Sequence, residues 1–264
     1  MILQTQKKAI LVVSFGISYR DSFKKTIEQI ENEIQAVYQN SVVYRAFTSQ
    51  IIINKLKKKG IFVDTIKEAM DKIVKAGYHT VICQPTYIMH GMEYQKMLDM
   101  IEPYKNVIDV RCGAPLLSSV EDYDKVTEAI IAEIRWNKKD TFVLIGHGTK
   151  HFNDTSYSIL NDCFLAKGYP NILVDTLENP SNTLLQKLKI IGSNIIYIMP
   201  FLIVTGKHTR YDIYGDVENT WKTKIMSQGY TVYTIEKALG EYPSIRNIFI
   251  EHIQNAIKRN PMIL

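Results

Sequence analysis

Short runs of β-forming apolar residues, each halted by glycine, proline or a hydroxyl side chain, recur along this chain between longer stretches with a helical apolar rhythm. The runs predict strands over residues 9–13, 42–47, 80–84, 107–111, 141–146, 172–176, 195–199 and 230–235. The stretches between them predict helices over about 21–38, 49–58, 64–75, 93–102, 119–136, 153–165, a segment after Pro180, and 243–258. Ile27, Ile30, Ile34 and Val37 recur at three- and four-residue steps and give the first helix one apolar face. Thr48 or Ser49 is placed to cap the second helix and Asp64 the third, which Gly77 stops. Pro200 opens a loop that carries Gly206-Lys207-His208. Strands this short, separated by helices of this length, predict parallel βαβ units and an α/β fold.

The pattern repeats. Phe15-Gly16 aligns with His147-Gly148 at an offset of 132, since 148 − 16 = 132. Pro85, Gly91 and Glu93 align with Pro200, Gly206 and His208 at an offset of 115, since 200 − 85 = 115. The echo predicts two similar α/β lobes, residues 1–138 and 139–264, each a parallel sheet flanked by helices, with a shared cleft at their strand ends. The four equivalent tips are then Phe15, Glu93, His147 and His208. Two imidazoles and a carboxylate are a common ligand set for a divalent first-row metal that keeps positions open. An apolar ring on the fourth tip suits a flat organic ligand. His147 stands between Gly146 and Gly148, which remove side-chain bulk and let a ligand approach closely.

Composition narrows the classes. The chain has 264 residues, 46% hydrophobic and 22% charged, as in a globular protein. No apolar run approaches the ~18 residues of a membrane helix. Met1 to Lys8 shows no secretory pattern, so a cytoplasmic protein is the expectation. The three cysteines, Cys83, Cys112 and Cys163, are far apart in sequence and imply neither a disulfide framework nor a cysteine zinc site. A formal charge of +5 favours an anionic ligand, whether nucleic acid, phosphate or polycarboxylate. Lys57-Lys58-Lys59 is the solvated end of a helix, where cations complement the dipole.

Seven fragments in order then carry a resemblance: Val12-Val13-Ser14-Phe15-Gly16, Arg45-Ala46-Phe47-Thr48-Ser49, Gln84-Pro85 with Gly91-Met92-Glu93-Tyr94, Gly146-His147-Gly148-Thr149, Met199-Pro200-Phe201, Gly206-Lys207-His208 leading to Gly215-Asp216, and Leu239-Gly240-Glu241. With these the chain resembles the anaerobic cobalt chelatases of the CbiK type, sirohydrochlorin cobaltochelatases of the class II chelatases. The resemblance implies a two-lobed chelatase-like fold with the tetrapyrrole in the cleft. It implies ATP-independent insertion of Co(II), with Fe(II) or Ni(II) as alternatives, during anaerobic cobalamin biosynthesis. It places the family's metal-binding histidines on His147 and His208 and its active-site glutamate on Glu93. The implied partner is a small-molecule tetrapyrrole, with no nucleic acid and no membrane, and the assembly a homo-oligomer. Two positions depart from the family pattern. Lys207 stands where an acidic residue commonly precedes the second histidine, and Tyr87 stands where a histidine is usual, with His90 three residues along. Lys207 should weaken divalent metal binding while offering a cation to a substrate carboxylate.

Neutral imidazole suits cobalt and exchanges faster than thiolate, while Glu93 can complete the site or take a proton. No Gly-x-x-x-x-Gly-Lys phosphate loop occurs, so no nucleotide is expected. Candidates for the ring's carboxylates are Ser14, Arg45, Thr149, Lys150, Lys207 and Arg210; Phe15, Tyr87 and Phe201 are candidates to stack on the ring. His79 and His252 read as structural or exposed. His90 and His151 lie near the predicted loops, and Asp212 and Asp216 are candidates to orient His208. The competing readings keep the site but change the metal or ring, or make the protein a non-catalytic tetrapyrrole or metal carrier.

Overall fold

The computed structural model describes residues 7–134, 139–148, 155–178, 180 and 183–258, with the backbone alone described over 207–210. In the first half, β1 (Lys8–Ser14), β2 (Val42–Phe47), β3 (Thr80–Pro85) and β4 (Asp109–Cys112) form one parallel sheet in the order β2-β1-β3-β4. In the second, β5 (Thr141–Gly146), β6 (Ile172–Thr176), β7 (Ile195–Pro200) and β8 (Thr231–Thr234) form another in the order β6-β5-β7-β8. The inner strands explain the unbroken apolar runs. Every residue of β3 and β5 is buried, as is β1 after Lys8, because helices cover both faces of a parallel sheet. Edge strands β4 and β8 are only partly covered, and their sequences are more polar.

The internal echo holds at the level of hydrogen bonds. Val13 pairs with Pro85 in one sheet, and Ile145 pairs with Pro200 in the other. The Thr86 amide donates to Val13 O at 2.9 Å and the Phe201 amide to Ile145 O at 2.8 Å. Beyond the strand ends, Ser49 N–H bonds Phe15 O and Glu178 N–H bonds His147 O, at 3.1 and 2.9 Å. Phe15 and His147 therefore occupy the same slot. Gly16 and Gly148 follow them in the left-handed region, with φ of +104° and +76°.

The compact units do not divide where the repeat does. One comprises residues 1–118 with 243–264, the other residues 119–242, so the boundary expected at 138/139 is displaced. The cause is the last helix of each copy. Helix α6 (Val120–Glu133), with Ser119 as N-cap, lies on α7 (Thr155–Ala166), and Lys167 reaches Asp124 and Glu128 while Lys237 reaches Glu133. Helix α11 (Pro243–Lys258) is held in the first unit. There Arg246 pairs with Glu33, Tyr38 and Arg111 donate to the carbonyls of Ile250 and Ile257, and His252 Nδ1 lies 2.9 Å from Ala114 O. Each helix buries its apolar face in the unit built by the other half of the sequence.

Several local expectations are revised. The first predicted helix is two, α1 (Arg20–Lys25) and α2 (Ile27–Val37), broken at Thr26, whose φ of −123° and ψ of −88° leave the helical region. The Thr26 hydroxyl bonds Ser22 O at 2.6 Å and competes with helix continuation there. Ser49, not Thr48, caps α3 (Gln50–Lys57). Thr65, not Asp64, caps α4 (Ile66–Lys75) through a capping box with Glu68, while Asp64 pairs with Lys72. The segment read as a loop after Pro200 contains α9 (Lys207–Tyr214), and α10 (Trp221–Met226) follows it. Helix α9 escaped the sequence reading because Lys-His-Thr-Arg-Tyr-Asp-Ile-Tyr carries no apolar stripe. On the far side of the second sheet from α7, α8 (Leu184–Ile191) and α10 close the core around Val143, Ile145, Ile196 and Ile198.

Candidate metal centre and ring-binding residues

Glu93 is the second residue of α5 (Met92–Ile101), whose N-cap is Gly91 in extended conformation. Backbone N–H groups and the helix dipole favour a carboxylate there. His208 is the second residue of α9, and its N-cap Gly206 is extended in the same way. The 115-residue offset thus places Glu93 and His208 in equivalent helix positions, since 206 − 91 = 115. The side chains of Lys207, His208 and Arg210, and all of Thr149, Lys150 and His151, lie outside the described residues. Among the described residues no three His, Cys, Asp or Glu side chains form a metal-sized group.

Side chains far apart in sequence converge on Glu93. Its Oε2 accepts from the Thr48 hydroxyl at 2.9 Å, and its Oε1 pairs with Lys96 Nζ at 2.7 Å. Tyr87 donates its hydroxyl to Thr48 Oγ1 at 3.4 Å, so a chain of donors runs from the phenol through the threonine to the carboxylate. Burial pushes the Tyr87 phenol well above its ordinary range; the Thr48 contact opposes this and the Glu93 charge adds to it. Tyr87 is therefore a neutral donor at physiological pH. Its ring sits in the core of the first unit with Leu11, Met97 and Ile101, which leaves the hydroxyl rather than a stacking face as its contribution.

His147 directly follows β5 with an exposed side chain, and its carbonyl is held by Glu178 N–H. A Cβ on Gly146 would lie 2.3 Å from Tyr157 Cε1, so only glycine admits that ring beside the strand end. Tyr157 in turn stands edge-on to buried Phe201, and its hydroxyl accepts from Gly148 N–H at 3.4 Å. Phe201 is thus a core residue and not a stacking surface. Phe15, in the equivalent slot of the first sheet, is 50% exposed and free to meet a flat ligand.

Other candidates are committed elsewhere. Arg45 forms a bidentate pair with Glu31, with Nε at 2.8 and 3.0 Å from the two oxygens, and its guanidinium lies 4.4 Å from the centre of the Phe23 ring. Burial raises the Glu31 pKa and the arginine opposes that rise, so Arg45 is committed to neutralising a buried acid. The Ser14 hydroxyl is buried and accepts from Thr86 at 2.8 Å, tying β1 to β3. His252 is buried and His79 exposed, and His90 stands edge-on to Tyr94. Asp216 pairs with Lys222. Sequence reading missed Lys96, although its i, i+3 spacing from Glu93 was a usable signal. It saw Thr48 only as a cap, since nothing local links residues 45 apart.

The family model described as cobalt chelatase (CbiK) matches residues 8–258. A protein of Salmonella typhimurium named sirohydrochlorin cobaltochelatase is 32% identical over 95% of this chain and 97% of its own. Sirohydrochlorin cobaltochelatase CbiKC of Nitratidesulfovibrio vulgaris is 26% identical over 97% of this chain and 92% of its own. Among solved structures, SirB from Bacillus subtilis with Fe3+ superposes with a TM-score of 0.69 at 15% identity, covering 96% of both chains, a likeness of fold.

Proposed function

This chain belongs to the CbiK cobalt chelatase family, and from that premise we propose that it inserts Co(II) into sirohydrochlorin, without a nucleotide, in cobalamin biosynthesis. The observation that carries the reading is 32% identity, over almost the full length of both chains, to the Salmonella protein named for that reaction. The donor chemistry supports it. We assign His147, His208 and Glu93 as the residues that hold the incoming metal, because two neutral imidazoles and one carboxylate bind cobalt while leaving positions for the pyrrole nitrogens. Two pyrrole protons must leave as the metal enters, and a carboxylate at the start of α5 can accept one. Phe15 offers an exposed ring to the macrocycle, and Lys207 and Thr149 offer a cation and a hydroxyl to its carboxylates.

The test is spectrophotometric. Purified protein mixed with sirohydrochlorin and Co(II), Fe(II) or Ni(II), without nucleotide, should turn over many times with cobalt above the uncatalysed rate. Tight ring binding with no turnover would make the protein a carrier instead. No described helix is long and apolar enough to cross a membrane. A cytoplasmic homo-oligomer belongs to the same proposal, checked by fractionation and by light scattering.

A further inference from the structure

The two oxygens of Glu93 are held in different ways. Oε2 is anchored through Thr48, whose own N–H is bonded to Ser14 O at 3.0 Å and whose Oγ1 also receives the buried Tyr87 hydroxyl. That anchor is part of the strand ends and does not move independently of the sheet. Oε1 holds Lys96, an ammonium on a flexible stem whose side chain is 55% exposed. Such a contact is weak and reversible, because solvent takes back the lysine at little cost.

We propose that Thr48 and Lys96 are positioning residues for metal capture: Thr48 fixes the aim of the Glu93 carboxylate, and Lys96 is a displaceable counter-ion occupying the oxygen that the incoming metal takes. This rests on the assignment of Glu93 to the metal site. A divalent ion outcompetes a single ammonium for Oε1, and the lysine swings into solvent. When the metal passes into the ring, Lys96 returns. The competition keeps the ground-state hold on the metal loose, which favours its transfer, since binding that is as strong before the reaction as during it does not accelerate the step. The second copy supplies an internal comparison. Leu177 bonds Gly146 O as Thr48 bonds Ser14 O, and the 115-residue offset that places His208 on Glu93 places Tyr211 on Lys96. The positions that hold Thr48 and Lys96 in the first copy are thus taken by Leu177 and Tyr211 in the second.

Co(II) titration of the ring-free protein, followed by the visible d–d absorption of cobalt, and steady-state kinetics in Co(II) test this together. Lys96→Gln should tighten Co(II) binding and lower its KM by about two- to five-fold without raising kcat. Thr48→Val should lower kcat by about ten-fold, and Thr48→Ser, which keeps the hydroxyl, should restore most of that loss. Unchanged or weaker Co(II) binding in Lys96→Gln, or a Thr48→Ser no better than Thr48→Val, would overturn the proposal. Glu93→Gln separates the two levels. If it is inactive while the Lys96 and Thr48 variants match the parent, this inference alone fails; if it turns over at the parent rate, the assignment of Glu93 fails and the inference with it.

Discussion

Replacing Gly146 by alanine puts one methyl group at the point where β5 hands the chain to His147. The added Cβ would lie 2.3 Å from Tyr157 Cε1, 2.6 Å from Cζ and 2.8 Å from the hydroxyl oxygen, so reaching the 3.4 Å of ordinary contact requires a shift of at least 1.1 Å. Tyr157 has little room to yield, because it is buried and its ring abuts Phe201, which is fully buried. Overpacking of this kind costs about 1–3 kcal/mol. For a chain of this size about 2 kcal/mol lowers the thermal midpoint by about 4–8 °C. The backbone shift also moves the imidazole, and a misplacement near 1 Å is enough to reduce kcat by as much as about 100-fold. Calorimetry and the cobalt insertion assay read the two effects on the same preparation. The mechanism is checked by a double-mutant cycle: in a Tyr157→Leu background, where the obstructing ring is gone, the methyl should cost at least about 1 kcal/mol less. A Gly146→Ala protein with the parent's midpoint and turnover, or a methyl penalty unchanged by Tyr157→Leu, would refute the steric argument.

His147→Ala and His208→Ala should each abolish cobalt insertion while leaving the far-ultraviolet circular dichroism unchanged, and near-full turnover in either would remove that residue from the site. Arg45→Gln should act on stability rather than on the KM for the tetrapyrrole, because it strands the buried Glu31; a loss of about 1–3 kcal/mol in urea unfolding is expected, and a selective rise in KM would contradict it. Thr65→Ala should cost about 1 kcal/mol at neutral pH through loss of the α4 capping box. Hydrogen bonds from Thr65 hold the Glu68 carboxyl below its ordinary value of 4.5, so its contribution is present above that value and lost as pH falls through the lowered folded-state value. The Thr65→Ala penalty should therefore shrink in acid, as measured by urea unfolding at several pH values. In Gly113→Ala the new Cβ would meet the buried Gln84 Oε1 at 1.9 Å, and a lowered midpoint without a change in Co(II) affinity is the expected outcome.

The sequence by itself determined the α/β class, the alternation of strands and helices, and the repeat, because inner parallel strands are covered on both faces and are therefore mostly apolar. The offsets of 132 and 115 survive as matched pairings, Val13 with Pro85 and Ile145 with Pro200. His147 was legible as a candidate because a polar residue directly after an apolar run and a glycine interrupts a local pattern, whereas Glu93 and His208 came from the 115-residue offset and the family resemblance. Helix α9 was not, since a helix that buries only Ile213 among its described side chains leaves no periodic trace. Only the tertiary structure decided that α6 and α11 each belong to the unit of the opposite half, because an amphipathic helix records that one face is buried but not against which sheet. It also reassigned Arg45 to Glu31, turned Tyr87 inward and brought Thr48 to Glu93. Those contacts join residues 14, 39 and 45 positions apart or more, and they are set by strand order and register, which no local spacing encodes.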